Sequence, residues 1–320
     1  VVRRIPERQS TVEQSVASQP EQPFQLCVYA CKLRQTYFDF SFDNATLRNK
    51  ALNGALGFTY NPSDKWRVYM NASTGFRSPN VDDIGKVFDS EPGNVVVPNP
   101  DLKPEQAYSV EVGVGGTVAT NFYFDVSAFY TTIDNAIARG PSTFNGQDSI
   151  DYDGQLSRVL SLQNISKLHV YGLQMGINWQ LNKYLKLTSS LNWQSGKEKD
   201  PETNRNYAPT HVAPLFGATH FIVRKGKLQV DCYANYNGEI SYKNLALSER
   251  ADSHLYLADA DGNPHAPSWW TLNLKASYQV VPHLGLDAGI ENIADKRYRP
   301  YSSGIVSPGR NFIATLRFKW

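Results

Sequence analysis

The 320-residue chain lacks any long apolar run, and this absence limits how it can relate to a membrane. A membrane-spanning helix needs about 20 consecutive apolar residues. No segment approaches that length, and the mean hydropathy is negative. A helical membrane protein is therefore excluded. A transmembrane β-barrel is not, because its strands need an apolar residue only at every second position.

Cysteine and excess charge are also scarce. The three cysteines, Cys27, Cys31 and Cys232, are too few for a disulfide scaffold and leave one unpaired in any scheme. Nothing near Cys27 and Cys31 completes a metal-ligand set. The net charge of +2, from 32 basic and 30 acidic residues, argues against nucleic acid as a partner.

Motifs for catalysis are missing as well. No nucleophile motif or phosphate-binding glycine loop occurs, and five histidines are scattered without metal-ligand spacing: His211, His220, His254, His265 and His283. A Ser/His pair of the kind that an outer-membrane hydrolase needs is not recognisable. We therefore expect neither an enzyme nor a resident metal or cofactor.

What the sequence does contain, from residue 52 to its end, is period-two alternation of apolar and polar residues. Runs of about ten residues with this period are typical of strands with one apolar face. The clearest run, from Leu168 to Leu181, places apolar side chains at odd positions. Even-numbered residues are predicted to face lipid around 66–76, 106–114, 122–132, 270–280 and 312–320, and odd-numbered residues around 169–181 and 185–193.

The connections between these runs alternate between short and long. Short turns are predicted at 61–64, 118–120, 181–183, 224–227 and 281–282, and long polar segments at 77–105, 133–166, 194–211, 240–267 and 292–310. Five such long loops are rare in compact soluble domains. Bacterial outer-membrane barrels combine short periplasmic turns with long external loops, so we predict an all-β chain of about eleven antiparallel transmembrane strands.

The start of the chain differs from the rest. Residues 1–35 are polar and show no sustained alternation, so they are predicted to be an irregular leader, and residues 36–320 are assigned to the barrel. A sheet that ends in an unpaired edge leaves backbone groups without partners in lipid. Another half of the barrel is therefore expected upstream or in another chain.

Three local motifs lie at the ends of predicted strands. The first contains Phe76, Arg77 and Pro79, and the second contains Asn99, Pro100, Leu102, Pro104 and Glu105. The third contains Asn292 and Tyr298 and is followed by Gly309, Arg310 and an alternating run that ends at Trp320. In this order and at this spacing, the motifs resemble the C-terminal barrel region of TonB-dependent receptors.

The resemblance implies half of an outer-membrane barrel of about 22 strands around an N-terminal plug. Such receptors import scarce nutrients, usually ferric siderophores, haem or cobalamin, with force delivered by TonB. The plug and the TonB-contacting segment, which are the implied partners besides membrane lipid, are not recognisable in this sequence. A passive porin-like barrel or an adhesive surface barrel is the alternative function.

The candidate ligand residues lie in the long loops next to the motifs: Arg77, Asp82, Asp83, Asn99, Asp101, Tyr298 and Arg310. Arginine offers a planar fork of donors that suits carboxylate or catecholate oxygens of an iron chelate. Residues 80–98 contain no histidine, which argues against haem. An iron chelate is thus the expected cargo, before haem and before cobalamin or a glycan. The alternative is that both arginines pair with loop carboxylates such as Asp82, Asp101 or Asp295.

Two further sets follow from the alternation. Charged residues on the polar face are expected to pair across strands inside the barrel: Arg67, Glu111, Asp125, Lys275, Asp287, Glu291, Arg317 and Lys319. Aromatic residues near strand ends are expected at the membrane interface: Tyr60, Trp66, Trp179, Tyr184, Trp193, Tyr278 and Trp320. Trp269 and Tyr298 are placed where they could reach a ligand from the loops.

Overall fold

The protein, described here by a computed structural model, consists mostly of β-strands and has almost no helix. The structure describes residues 24–34, 44–85, 88–91, 93–200, 203, 205–213, 215–251 and 253–319. Twelve strands follow one another in a single antiparallel meander. They are β1 (Phe24–Arg34), β2 (Asn44–Ser63), β3 (Trp66–Arg77), β6 (Glu105–Ala119), β7 (Phe122–Pro141), β9 (Gln155–Gln180), β10 (Leu185–Lys199), β12 (Leu215–Lys225), β13 (Leu228–Asn237), β16 (Trp269–Val281), β17 (Leu284–Glu291) and β18 (Asn311–Phe318).

Shorter elements lie in the long loops. The strands are β4 (Phe88–Glu91), β5 (Asn94–Val97), β8 (Ser149–Tyr152), β11 (Asn206–Tyr207), β14 (Leu257–Ala258) and β15 (Pro264–His265). The helices are α1 (Val81–Gly85), α2 (Leu247–Ala251) and two 3-10 turns, Tyr242–Asn244 and Ser253–Leu255. Within the described part of the chain, no helix has the length and apolar character needed to cross a membrane.

The strand count confirms the prediction, since eleven strands of the meander follow residue 43. The expectation of irregular structure in residues 1–35 was wrong for residues 24–34, which form β1 and pair residue by residue with Asn44–Gly54 of β2. Backbone pairing with a neighbouring strand does not require an alternating sequence, so alternation could not reveal this strand. Residues 1–23 and 36–43 lie outside the described residues.

The predicted long segments are partly strand. The segments 78–104 and 292–310 connect strands almost as predicted, but β7 and β9 continue well beyond their alternating portions and leave a loop of only 142–154. The segment predicted at 194–211 is shifted to 200–214 for the same reason. The extension of β7 passes a register shift next to Asn135, whose φ is 56°. The parts of these strands that extend beyond the alternating portions have no continuous apolar face, so the sequence pattern did not predict them as strands.

The apolar face of the meander is exposed, as the alternation predicts. Even-numbered Met70, Val112 and Leu274 have 47%, 49% and 38% of their surface exposed, and odd-numbered Leu173 and Met175 have 39% and 44%. The predicted interface aromatics are exposed as well, namely Tyr60, Trp66, Trp179, Tyr184, Trp193 and Tyr278, whereas Trp320 lies outside the described residues. A wall of exposed apolar side chains requires an apolar surrounding, as in the lipid-facing surface of a membrane barrel.

The buried apolar cores lie in the loops. One core joins Ile84 of α1 to Leu102, a second joins Val95 and Val97 of β5 to Val159 of β9, and a third joins Ile240, Leu245 and Ala266. The described apolar clusters therefore lie around the long connections, whereas most apolar side chains of the meander's apolar face are exposed.

Six of the eight charged residues expected on the polar face form ion pairs across strands. Lys275 contacts Glu291 at 2.6 Å and Arg317 contacts Asp287 at 2.6 Å, each across neighbouring strands. Arg67 reaches Asp125 at 3.3 Å across the intervening strand β6. That contact passes over Gly115, where a Cβ atom would lie 2.7 Å from an Asp125 carboxylate oxygen. Glycine at this position therefore lets the pair form.

Candidate functional site

The ends of three long loops join into one folded unit. We name it the rim unit and define it as residues 205–213, 238–251, 253–268 and 292–310. Ile240 and Ala266 exchange backbone hydrogen bonds of 2.9 and 3.0 Å, and Tyr256 and Tyr301 pack against the core that these residues form with Leu245. The backbone pairing thus closes the loop between β13 and β16 on itself, and the packing of Tyr301 fixes the loop between β17 and β18 to it.

Further polar contacts connect the loops of the rim unit. The Ala246 N–H donates to the Tyr301 hydroxyl at 3.2 Å, the His211 N–H donates to the Ser302 hydroxyl at 3.1 Å, and Ala208 forms a parallel bridge with Ala246. Each of the three loops is therefore bonded to another.

A buried carboxyl lies within the unit. Glu249 of α2 is 7% exposed and accepts a hydrogen bond from the Tyr256 hydroxyl. Burial, and then this bond and the charge of Glu249, raise the pKa of Tyr256 well above its usual range. The guanidinium of Arg299 lies 5.1 Å from the centre of the Tyr256 ring and supplies a nearby positive charge.

The rim unit encloses a cleft that we name the aromatic–cationic cleft. It has a volume of about 580 Å³ and is lined by His254, Tyr256, Trp269, Lys296, Arg297, Tyr298, Arg299 and Tyr301 together with smaller apolar residues. The rings of Trp269 and Tyr298 have centroids 4.3 Å apart, and the indole N–H of Trp269 is buried without a hydrogen-bond partner. The described residues that line the cleft include no Asp or Glu.

These properties define what the cleft can bind. Three cationic side chains without a lining carboxylate favour an anion, and several aromatic rings favour a flat apolar or aromatic group. The volume lies within the range of small-molecule sites, about 300–1,000 Å³. An anionic ligand with aromatic rings therefore fits the chemistry of the cleft.

Sequence analysis found this cleft only in part. Trp269 and Tyr298 were predicted to lie within reach of a ligand, and the structure places their rings next to each other in the cleft with an angle of 36° between the ring planes. The other lining residues were missed, although cationic and aromatic residues interleave from Lys296 to Tyr301. That interleaving was a usable signal.

Arg310, predicted as a ligand residue, is bonded inside its own loop. Its Nε donates to the Ile293 carbonyl at 2.9 Å, and its backbone N–H donates to the Asp295 carboxylate at 2.7 Å. A Cβ atom at Gly309 would lie 2.5 Å from that carboxylate. Asp295 therefore pairs with the backbone of Arg310, and the Gly309-Arg310 motif fits a tight loop closure.

Asn292, the motif residue at the start of this loop, is a buried brace. It is 3% exposed and has φ 49°. Its side chain donates to the Lys296 carbonyl at 2.8 Å and accepts from the Lys296 N–H at 2.9 Å, while its backbone N–H donates to Asn273 at 2.8 Å. Asparagine tolerates a positive φ better than most residues, which explains its position here.

Arg77 is held by carboxylates. Its guanidinium contacts both oxygens of Asp83 at 2.9 and 2.8 Å and Glu105 at 3.3 Å. The Asn80 N–H donates to Asp83, and the Asp83 N–H donates to the Asn80 side chain, each at 2.9 Å. The partners of Arg77 are thus Asp83 and Glu105, not the Asp82 or Asp101 considered from the sequence.

The remaining residues of the second motif also brace the loop. The Asn99 side chain donates to the Leu162 carbonyl at 2.7 Å and accepts from the Asp101 N–H at 3.0 Å. Glu105 accepts from the Ile137 N–H at 2.7 Å. Pro79 and Leu102 are buried, Pro100 and Pro104 are half-buried like Phe76, and Asp82 and Asp101 are exposed.

The comparisons with known proteins agree with this architecture. The model of the family "TonB dependent receptor-like, beta-barrel" matches residues 32–293. The chain belongs to this family. Its members are receptors and transporters, and they are β-barrels of the outer membrane of Gram-negative bacteria. In the described part of this receptor chain, no three His, Cys, Asp or Glu side chains lie together where they could hold a metal ion.

Relatives of this receptor chain differ in their cargo. It is 24% identical over 290 residues to the vitamin B12 transporter BtuB of Vibrio vulnificus (strain YJ016), covering 87% of this chain and 38% of that protein. It is 25% identical over 325 residues to transferrin-binding protein A of Neisseria meningitidis serogroup B, covering 88% and 33%. The chain thus spans less than half the length of these relatives.

Solved structures show the same fold. The copper transporter OprC matches with a TM-score of 0.68 and 15% identity, covering 93% of this chain and 44% of that one. A variant of the ferric enterobactin receptor of Pseudomonas aeruginosa matches with a TM-score of 0.64 and 16% identity, covering 93% and 43%. At this level of identity the likeness concerns the fold alone.

Proposed function

We propose that the chain forms the C-terminal half of an outer-membrane receptor barrel that imports a ferric siderophore or another iron chelate with energy from TonB. Family membership supports the transport class, some relatives are named for binding hemoglobin or transferrin, and one structural neighbour is named for ferric enterobactin. In this proposal a plug domain and the other barrel half complete the receptor. The chain itself catalyses no reaction.

The observation that carries the cargo proposal is the aromatic–cationic cleft. Ferric catecholate chelates are anionic and aromatic, so their oxygens would contact Lys296, Arg297 and Arg299 while their rings pack near Trp269 and Tyr298. The unpartnered Trp269 N–H supplies one further donor. A neutral or purely aliphatic cargo would leave these cations without a partner.

The test compares two triple variants of the full receptor. One replaces Lys296, Arg297 and Arg299 with glutamine, and the matched control replaces the exposed cations Lys197, Arg205 and Lys243. Affinity for ferric enterobactin, measured by quenching of tryptophan fluorescence, is expected to fall at least about tenfold in the first variant, the effect of one lost charge-assisted hydrogen bond. The control is expected to bind as the native receptor does. Equal affinities of all three proteins would remove the cleft from the cargo site.

Haem is the second candidate, because His254 and three tyrosines line the same cleft and both residue types ligate haem iron. Titration with haemin separates the two. A Soret shift that is lost in His254→Ala, with no binding of ferric enterobactin, would replace the siderophore by haem. Growth rescue by cobalamin or an oligosaccharide, but not by iron chelates, would contradict both.

Energy coupling separates import from a passive or adhesive barrel. We expect uptake of radioactive iron chelate in cells that carry the receptor, and loss of that uptake when TonB is deleted. Uptake that continues without TonB would support a porin-like barrel, and binding without any uptake would support an adhesive one.

The loop residues selected from the sequence have two possible roles. Arg77, Asp83, Asn99 and Arg310 make the contacts described above, which support a bracing role, whereas Asp82, Asp101 and Tyr298 are available for cargo. Arg77→Ala and Arg310→Ala are therefore expected to loosen the loops more than they weaken cargo binding. A large loss of affinity with unchanged hydrogen exchange in the loops would assign them to the cargo site.

The proposal places the long loops outside the cell and the short turns in the periplasm. A cysteine introduced by Ser195→Cys, near the loop end of β10, should react with an impermeant maleimide on intact cells. A cysteine introduced by Lys183→Cys, in the turn between β9 and β10, should react only after the outer membrane is opened. The reverse pattern would invert the topology.

A further inference from the structure

Three of the five short turns at one end of the sheet, together with the end of β18, form a continuous edge. We name it the turn edge and define it as residues 181–184, 224–228, 280–284 and 318–319. Neighbouring turns are joined by backbone hydrogen bonds from Arg224 to Tyr184 at 2.8 Å, from Gln279 to Lys227 at 3.0 Å and from Lys319 to His283 at 3.0 Å. Residues that are distant in sequence therefore lie side by side.

Positive charge is concentrated on this edge. Exposed cations occur in the two turns that flank β10 and β12 and after β18, namely Lys183, Arg224, Lys225, Lys227 and Lys319. The edge contains no Asp or Glu, although the whole chain has a net charge of only +2. The two remaining short turns at this end of the sheet, 61–65 and 119–121, add one exposed carboxylate, Asp64, and one exposed cation, Lys65, so they do not offset the positive charge. The nearest carboxylates on these strands are paired, Asp231 with His220 and Asp287 with Arg317.

Three of these cations contact neutral groups. The ammonium of Lys183 lies 4.8 Å from the centre of the Tyr184 ring, Arg224 donates to the Gln229 side chain at 2.7 Å, and Lys227 donates to the Val280 carbonyl at 2.9 Å. Such contacts orient a cation without neutralising it. The edge therefore presents positioned, uncompensated charge.

An apolar band begins directly beside the charges. Val223, Leu228, Val281 and Phe318 are exposed by 43%, 42%, 45% and 64% on the apolar face of the same strands. Long basic side chains at such a boundary extend their charged ends to the polar surface of a membrane while their stems cover apolar groups. Tyr184, which is also exposed, is typical of this boundary.

We propose that the turn edge binds the phosphate groups of anionic glycerophospholipids in the leaflet that it faces. The proposal rests on the proposed function insofar as the sheet must be part of a membrane barrel. Successive turns are two strands apart, a spacing of about 10 Å. The cations thus form a line along the apolar wall, which fits a row of headgroups better than it fits a compact acidic partner.

The test uses the full receptor in lipid nanodiscs and measures quenching of tryptophan fluorescence by brominated phosphatidylglycerol against brominated phosphatidylcholine. Trp179, exposed near the end of β9, lies close to the edge. One variant replaces Lys183, Arg224, Lys225, Lys227 and Lys319 with glutamine. The matched control replaces five exposed cations elsewhere with glutamine: Lys103, Lys167, Lys197, Arg205 and Lys243.

The native receptor is expected to prefer phosphatidylglycerol at least about fivefold, the effect of one well-placed cation. The first variant should lose the preference and the control should keep it. Equal preference in all three proteins, or equal loss in both variants, would overturn the lipid site. So would displacement of the lipid by millimolar inorganic phosphate, or binding of polyglutamate to the edge without any lipid preference.

The outcome for the proposed function is separate. Insertion of the receptor into neutral phosphatidylcholine nanodiscs, without any preference for phosphatidylglycerol, would overturn the lipid site and leave the barrel standing. Failure of the native receptor to insert into any nanodisc would overturn the membrane barrel and the lipid site together.

Discussion

A glycine in β9 allows two neighbouring strands to approach it closely, and replacing it should be costly. A Cβ atom at Gly172 would lie 2.4 Å from the Trp193 carbonyl oxygen and 2.8 Å from the Phe129 ring. The carbonyl belongs to the backbone of β10, which is held in register by its pairing with β9, so it cannot move away easily. Overpacking of this kind costs about 1–3 kcal/mol.

Gly176 provides the matched control, since it lies on the same face of the same strand and a Cβ atom there would meet nothing within 4 Å. Replacing glycine by alanine in a strand stabilises by roughly 0.5–1 kcal/mol when nothing clashes. Because both variants gain this stabilisation, it cancels when their free energies of unfolding are compared. Gly172→Ala should therefore be about 1–3 kcal/mol less stable than Gly176→Ala.

The measurement is urea-induced unfolding of the full receptor in detergent micelles, followed by tryptophan fluorescence. The midpoint should fall for Gly172→Ala and stay equal or rise for Gly176→Ala, with the same slope in both. Adding Phe129→Leu to Gly172→Ala should recover only part of the loss, because the contact with the carbonyl remains. Coinciding midpoints for the two alanine variants would refute the reasoning.

Three predictions concern the loops. The pKa of Tyr256 is raised in the folded state. The stabilisation that its hydrogen bond to Glu249 provides should therefore be complete below pH 10 and should decline as the pH rises above 10. Hydrogen exchange, measured in the native protein and in Tyr256→Phe, tests this expectation. Hydrogen bonds from the backbone N–H groups of Asn263 and Asp261 lower the pKa of Asp259. Protection of these two amides from hydrogen exchange should persist above pH 3.8, the usual pKa of the carboxyl group, and should be lost as the pH falls below that value. Asp259→Asn should not show this pH-dependent loss. Asn292→Ala should destabilise its loop by about 2–4 kcal/mol through lost hydrogen bonds and a strained φ. Asn292→Asp, which keeps the acceptor, should lose less protection at the Lys296 amide, and equal losses would contradict the bracing role.

The fold of the strands could be predicted from the sequence because a wall between lipid and a polar interior forces an alternating pattern. Leu173 and Met175 face one side and Gly172 and Gly176 the other for that reason alone. The pattern fails where both faces of a ribbon contact water, as in the outer parts of β7 and β9. It also fails for β1, whose pairing with β2 is made by backbone groups.

The site was harder to predict because loop contacts join residues that are far apart in sequence. Arg77 was a candidate for cargo binding, but its partners Asp83 and Glu105 lie 6 and 28 positions away and could not be chosen among the many loop carboxylates. The cleft combines Trp269, at the start of β16, with residues of the next loop. Only the run from Lys296 to Tyr301 carried a local signal.

The bonds at Ala246 have a mechanical consequence. Three loops meet there, through the bridge to Ala208 and the hydrogen bond to Tyr301. Each of these loops connects a different pair of strands. A load on any one of them is consequently distributed over β10, β12, β13, β16, β17 and β18. The rim unit is therefore coupled through Ala246. It can widen only if all three loops move together, or if the contacts of Ala246 with Ala208 and Tyr301 break.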